Sequence, residues 1–257
     1  MDQNQTLGRG EVHFAKFKPG TQIPDGYRYL GNTPEFNLSV QSEQLAHYSM
    51  DRGQKTKDKS VTLQTDHTGT FTCDNISLDN LALFFMGSKE TVAQASAANV
   101  TETLEGITQG LSYQIGVTDA SPLGSRKVTI NTIAVGATPL VAGTDYTLDS
   151  DRGVITFIEG GTVAIDGSDV DLDVALAATS YDRVISGKDQ IEGSIMYLAY
   201  NAEGDDLDYR MLHVRIAPNG DLPLKGDDWM STPFTVEILT PVGKEAIYLN
   251  GQPYTAA

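Results

Sequence analysis

The sequence predicts a mainly β fold, a sandwich or barrel, with one short packed helix at about residues 77–86. Three observations predict it. Two long runs alternate apolar and polar side chains with a period of two, the mark of a half-buried strand. Many shorter apolar runs follow, separated by Gly, Pro, Asn and Asp turn formers. Only one run has a helical period.

The first long run is Tyr29 to Val40, with Phe36, Leu38 and Val40 on one face and Glu35, Asn37 and Ser39 on the other. The second is Ser60 to Cys73, with Val61 and Leu63 against Thr62, Gln64 and Asp66. Between them, Gln41 to Lys59 is too long and too charged for a tight hairpin turn and reads as a long projecting loop. The helix follows. Ser77 is a suitable N-cap, Leu78, Leu81, Ala82 and Phe85 fall at i, i+3, i+4 and i+7, and Gly87 is placed to end it. The expected core contacts are therefore Phe36, Leu38, Val61, Leu63, Leu78, Leu81 and Phe85.

Before these elements, residues 1–10 read as a polar arm, Glu11 to Phe17 as a short strand, and residues 18–26 as a turn-rich loop. After them, Ser88 to Ser112 is small and polar and reads as a linker. Strands are expected at residues 113–117 and 126–135. A hairpin is expected from Asp145 to Ile158 about the turn at Ser150 to Gly153, and further strands at 163–178, 181–185, 191–200, 209–217, 234–239 and 246–249. Leu222 to Met230 is irregular, with Trp229 as its one large anchor.

At 257 residues the chain can bury a full core without staples. Its 34 acidic side chains outnumber 18 basic ones, for a net charge of -16. That balance excludes binding to nucleic acid by bulk attraction, which rests on Lys and Arg. The basic residues concentrate early: residues 1–60 hold 8 basic and 7 acidic side chains, above all Arg52, Lys55, Lys57 and Lys59 in the long loop. The one cysteine, Cys73, cannot form an internal disulfide and reads as a small, partly buried side chain. No secretion leader and no membrane span are expected.

Several residues carry a family resemblance. The stretch from Gly26 to Val40 (GYRYLGNTPEFNLSV) is followed by the polar loop, by SVTL at Ser60 to Leu63, and by NISLDNLALFFMG at Asn75 to Gly87. The pattern resumes from Gly193 to Thr240, through Ala217 to Gly220 and FTVEIL at Phe234 to Leu239. This order resembles the major tail tube proteins of long-tailed, siphophage-like bacteriophages over about half of the chain.

The resemblance implies a structural virion protein of tail-tube-type β-sandwich fold, made in the host cytoplasm and carried in the tail. Copies would form stacked, hexameric rings around a channel. DNA would pass through without specific binding, and no cofactor would be needed. Partners would be further copies of the chain, a tape measure protein, and tail-tip and terminator proteins. The loop with Arg52, Lys55, Lys57 and Lys59 would reach the next ring. The candidate lumen lining is Glu35, Asn37, Ser39, Thr62, Gln64 and Asp66. One domain over residues 1–257 is expected, with 88–180 either an elaborated outer face or an inserted β subdomain.

The alternatives are a baseplate hub or head decoration protein, or a monomeric β-sandwich that binds glycans. Enzyme chemistry is not expected. Glu203, Asp205, Asp206 and Asp208 lack the spacing of a calcium loop. Asp166, Asp169, Asp171 and Asp173 read as decoration of a strand face. The four histidines, His13, His47, His67 and His213, have no metal-ligand spacing. No phosphate-binding, dinucleotide-binding or nucleophile-elbow motif is present.

Overall fold

A computed structural model describes residues 5–51, 53–161 and 166–252. Arg52 and the start of the strand expected from Val163 lie outside the described residues. The first elements are β1 (Gly10–Lys16), β2 (Arg28–Tyr29), β3 (Glu35–Ser49), β4 (Thr56–Cys73) and α1 (Leu78–Phe84). Next come β5 (Ser88–Gln94), β6 (Ala97–Ile107), β7 (Ser112–Gln114), β8 (Val128–Val135), β9 (Thr138–Pro139), β10 (Tyr146–Asp149) and β11 (Val154–Phe157). The chain ends with β12 (Ser168–Leu176), β13 (Thr179–Ile185), β14 (Ile191–Ala199), β15 (Asp206–Pro218), β16 (Thr232–Ile238) and β17 (Ile247–Gln252). The fold is mainly β with one short helix, as the alternation predicts. Among the described residues no helix is long and apolar enough to cross a membrane.

The chain divides into two compact units. One holds the chain up to Glu90 and from Val184 onward, and the other is Thr91–Arg183. The first is built on an eight-stranded sheet in the order β2-β1-β14-β15-β16-β4-β3, with β17 also paired to β15. Antiparallel pairing joins each neighbour. The sheet wraps around its apolar face, so that Phe36 of the edge strand β3 meets Tyr197 of β14 with ring centroids 6.1 Å apart. Inside, Phe71 stacks on Phe234 at 4.9 Å, and Phe84 of α1 meets Phe234 edge-on at 6.0 Å. Val12, Phe14, Leu30, Ile195, Met211, Val214 and Val236 complete this core. Each such side chain contributes on the order of 1.5–3 kcal/mol by leaving water.

Ser77 caps α1 as expected, accepting from the Asn80 backbone N–H at 3.1 Å. The buried face differs from the expected one. Asn80, Ala82, Leu83 and Phe84 point inward, Leu81 is half-buried, and Leu78 and Phe85 are exposed. The cause is polar: the Asn80 side-chain amide donates to the Leu30 carbonyl at 2.7 Å and the Asn75 carbonyl at 2.8 Å, which fixes the rotation of a two-turn helix. The helix ends with Met86 left-handed at φ 49°, its N–H donating to Leu83 O and the Gly87 N–H to Ala82 O. Those two bonds satisfy otherwise orphaned carbonyls. Cys73 is fully buried rather than partly so, and burial pushes its thiol up to about 12.

The largest correction concerns residues 41–59. They are not a loop. β3 runs on to Ser49 and β4 starts at Thr56, and the two stay paired from Glu35↔Thr72 to Ser49↔Thr56. Beyond His67, where β16 stops pairing with β4, they form a free two-stranded ribbon. The expected loop shrinks to the tip, residues 50–55. Residues 88–112 also differ from the expected linker, since they hold β5, β6 and the start of β7. Trp229 is not an anchor: it is 91% exposed.

The second unit has its own core, formed by Ile107, Ile115, Val128, Ile155, Phe157, Val170, Leu172 and Val174 among others. Its strands form a four-stranded sheet, β6-β12-β8-β9, and a three-stranded sheet, β10-β11-β7. The expected hairpin is β10–β11, with Tyr146 opposite Phe157 and Gly153 left-handed in the turn. Strands β5 and β13 form a separate two-stranded sheet.

Candidate assembly surface

In an antiparallel ladder, directly opposed side chains share a face. The register therefore sorts the first unit's sheet. One row across its outer face is Ser39, Thr68, Glu237, Arg215 and Glu192, from β3 to β14. The neighbouring row holds Asn37, Thr70 and Thr235, and the next Glu35 and Thr72. Toward the ribbon the rows are Gln41 with Asp66 and Glu43 with Gln64. Five of the six candidate lumen residues, Glu35, Asn37, Ser39, Gln64 and Asp66, thus lie on one face.

Thr62 does not. The pairing shifts by one residue between Glu43↔Gln64 and Gln44↔Thr62, a bulge at Leu63. A bulge reverses the alternation beyond it, so Thr62 sits with Gln44 on the opposite face and Val61 joins Leu45 on the polar side. Periodicity alone could not reveal this. It also missed Glu43, Thr68, Thr70, Thr72, Glu192, Arg215 and Glu237, whose membership depends on which strands are neighbours.

This face is acidic, with Glu35, Glu43, Asp66, Glu192 and Glu237 against Arg215 and, near the ribbon tip, Lys59 opposite His47. Arg215 donates to Glu192 at 2.9 Å and to Glu237 at 3.1 Å. His213 meets the other Glu192 oxygen at 3.2 Å. The hydrogen bond from Arg215, then that from His213, holds the Glu192 carboxyl below the usual carboxylate range. Asn37 donates to Glu35 at 2.7 Å and Gln64 to Asp66 at 2.8 Å, so neighbouring polar side chains order the acids along each strand.

Of the expected core residues on these strands, Phe36 packs against the core, 5.9 Å from Phe71 between ring centroids. Leu38, Val61 and Leu63 are exposed, together with Val40, Leu45, Tyr48 and Met50. Leu38 and Val40 lie where the ribbon leaves the sheet, and the others sit on the ribbon itself, which extends past the core. At its tip, Lys55 Nζ lies 4.6 Å from the centre of the Tyr48 ring. Asp58, at a second register shift, meets His47 Nδ1 at 2.6 Å. Lys57 and Lys59 make no ion pair among the described residues.

The acidic clusters have structural duties. Asp208 accepts the Ala199 N–H and Asp206 the Asn201 N–H, which closes the β14–β15 turn. In the second unit Asp166 and Asp169 accept backbone N–H groups of Gln109 and Gly106, while Asp171 and Asp173 accept from Thr103 and Asn131.

Fold and surface together define a sheet protein with one acidic face and a projecting, basic-tipped ribbon. The chain belongs to the family described as "Protein of unknown function UCP028589", which matches residues 5–247. No curated protein matches it.

Proposed function

We propose that this chain is a structural subunit that assembles with copies of itself into stacked rings around a channel, as major tail tube proteins of long-tailed bacteriophages do. The observation that carries this reading is the ribbon. A two-stranded hairpin is marginal in water by itself. Among the described residues this one leaves a 15-residue edge strand, β3, unpaired on its outer side, and it exposes apolar side chains on both faces. A long open edge is an aggregation hazard unless another chain covers it. Ring closure, in which β3 of each copy lies against a neighbour, removes the edge. The acidic sheet face then lines the channel and repels DNA, so that DNA slides.

In this reading rings hold six copies, by resemblance, and the ribbon tips set the register between rings. A tape measure protein occupies the channel during assembly, and tip and terminator proteins close its ends. The subunit resides in the virion tail. Residues 88–180 are an addition to a minimal tube subunit.

Each exposed ion pair contributes only roughly 0–1 kcal/mol, but every copy repeats it. Substituting Lys55, Lys57 and Lys59 together by Glu is expected to abolish stacked tubes seen by electron microscopy. Tubes of normal length from that variant would contradict the role given to the tip.

A further inference from the structure

We propose that the β15–β16 loop, residues 219–231, is the surface that receives the ribbon tip of a second copy, so that copies join head to tail. This inference rests on the assembly reading above and assigns the partner of the ribbon.

The strand registers place the two features at opposite ends of one sheet. β16 pairs with β4 from Thr232↔Cys73 to Ile238↔His67. The ribbon leaves the sheet beyond His67, so its tip lies past the Ile238 end of β16. The loop 219–231 precedes Thr232 and so lies at the other end. Contact between opposite ends is heterologous, and when directed along the strands it repeats from copy to copy, which is how copies stack along an axis.

Chemistry matches at the two ends. The tip carries Lys55, Lys57 and Lys59 with exposed Tyr48 and Met50. The loop carries Asp221, Asp227 and Asp228 against the one basic residue Lys225, and two bare apolar side chains, Leu224 at 80% and Trp229 at 91% exposure. A tryptophan so exposed has lost nearly all of its burial energy, and its ring is the best face for a lysine ammonium. Complementary charge steers the approach, and apolar contact then holds it. The other acidic loop, with Glu203, Asp206 and Asp208, lies at the ribbon's own end, past Ile238 in the β15–β16 register. Docking the tip there would give a closed two-fold pair, and its Asp206 and Asp208 already accept backbone N–H groups.

The test is disulfide capture between mixed single-cysteine variants under mild oxidation. Buried Cys73 stays silent. Lys57→Cys mixed with Trp229→Cys is expected to give an intermolecular disulfide at least tenfold above either variant alone, and above Lys57→Cys mixed with Glu203→Cys. In a second arm, the Lys55, Lys57 and Lys59 to Glu variant mixed with an Asp221, Asp227 and Asp228 to Lys variant is expected to regain assembly that each has lost. Wild-type tubes without the Trp229 cross-link, or a cross-link preferring Glu203→Cys, would overturn the assignment of this loop and leave the assembly reading standing. A wild-type chain that never assembles would overturn both.

Discussion

Gly87 stands where the turn after α1 meets the backbone of Ile185 to Gly187. A Cβ at this position would lie 1.8 Å from the Ile185 carbonyl oxygen, closer than any contact permits. The backbone must move to admit it, so Gly87→Ala is expected to destabilise the first unit by about 1–3 kcal/mol, read as a lower urea midpoint with unchanged slope. Glu192 gives a pH signature. Its carboxyl is held below its ordinary range by Arg215 and then His213. The unfolded chain therefore binds a proton first as pH falls, and the stability that the contact adds at neutral pH is lost as pH drops through the folded value. Glu192→Gln is expected to flatten the acid limb of the stability profile while leaving its alkaline side alone; an unchanged acid limb would contradict this. At this scale the sequence was a partial guide. Ser77 was legible as a cap because capping is local. Leu78 and Phe85 were misplaced because the inward turn of α1 is set by Asn80 bonding to Leu30, 50 residues away.

The ribbon is the element on which the functional account rests. Strand alternation appears in sequence only where one face is buried. Between Gln41 and Lys59 neither face packs on the core, so polar and apolar residues mix and the segment reads as loop. The bulge at Leu63 further scrambles the period. β6 was hidden for a different reason. Its inward positions are Val100, Glu102 and Leu104, and Glu102 breaks the apolar pattern because its carboxylate accepts the Gly116 N–H at 2.8 Å. By contrast, β10–β11 was readable, since its turn signal and both strand patterns are local. Replacing residues 42–65 by Asn-Gly joins Gln41 to Asp66 in a tight hairpin that keeps their pairing. Because no fully buried side chain is removed, unfolding stability is expected to stay within about 1 kcal/mol of wild type, while light scattering at high concentration shows assembly gone. Loss of folding would contradict the claim that the ribbon stands outside the core.

For the whole molecule, charge distribution and open edges point the same way. A net charge of -16 keeps copies apart at a distance, while the basic tip and the apolar ribbon are local exceptions placed on a projecting element. Association of such a chain depends on a few contacts that oppose an overall repulsion, and the charged ones weaken as salt shortens the screening length toward about 8 Å at physiological strength. The mainly β class and the order of the two long strands and the helix were legible because they follow from alternation and turn chemistry, whereas the ribbon between them read as a loop. The surfaces were not, because a face is made by strands that are distant in sequence, as with Ser39, Thr68, Glu237 and Glu192 in one row. The most direct measurement is negative-stain electron microscopy of the purified full chain, concentrated at low and at moderate salt. Rings or hollow stacked tubes are expected, with one copy's ribbon reaching the next layer. Particles that remain monomeric at every concentration and salt would contradict the assembly reading.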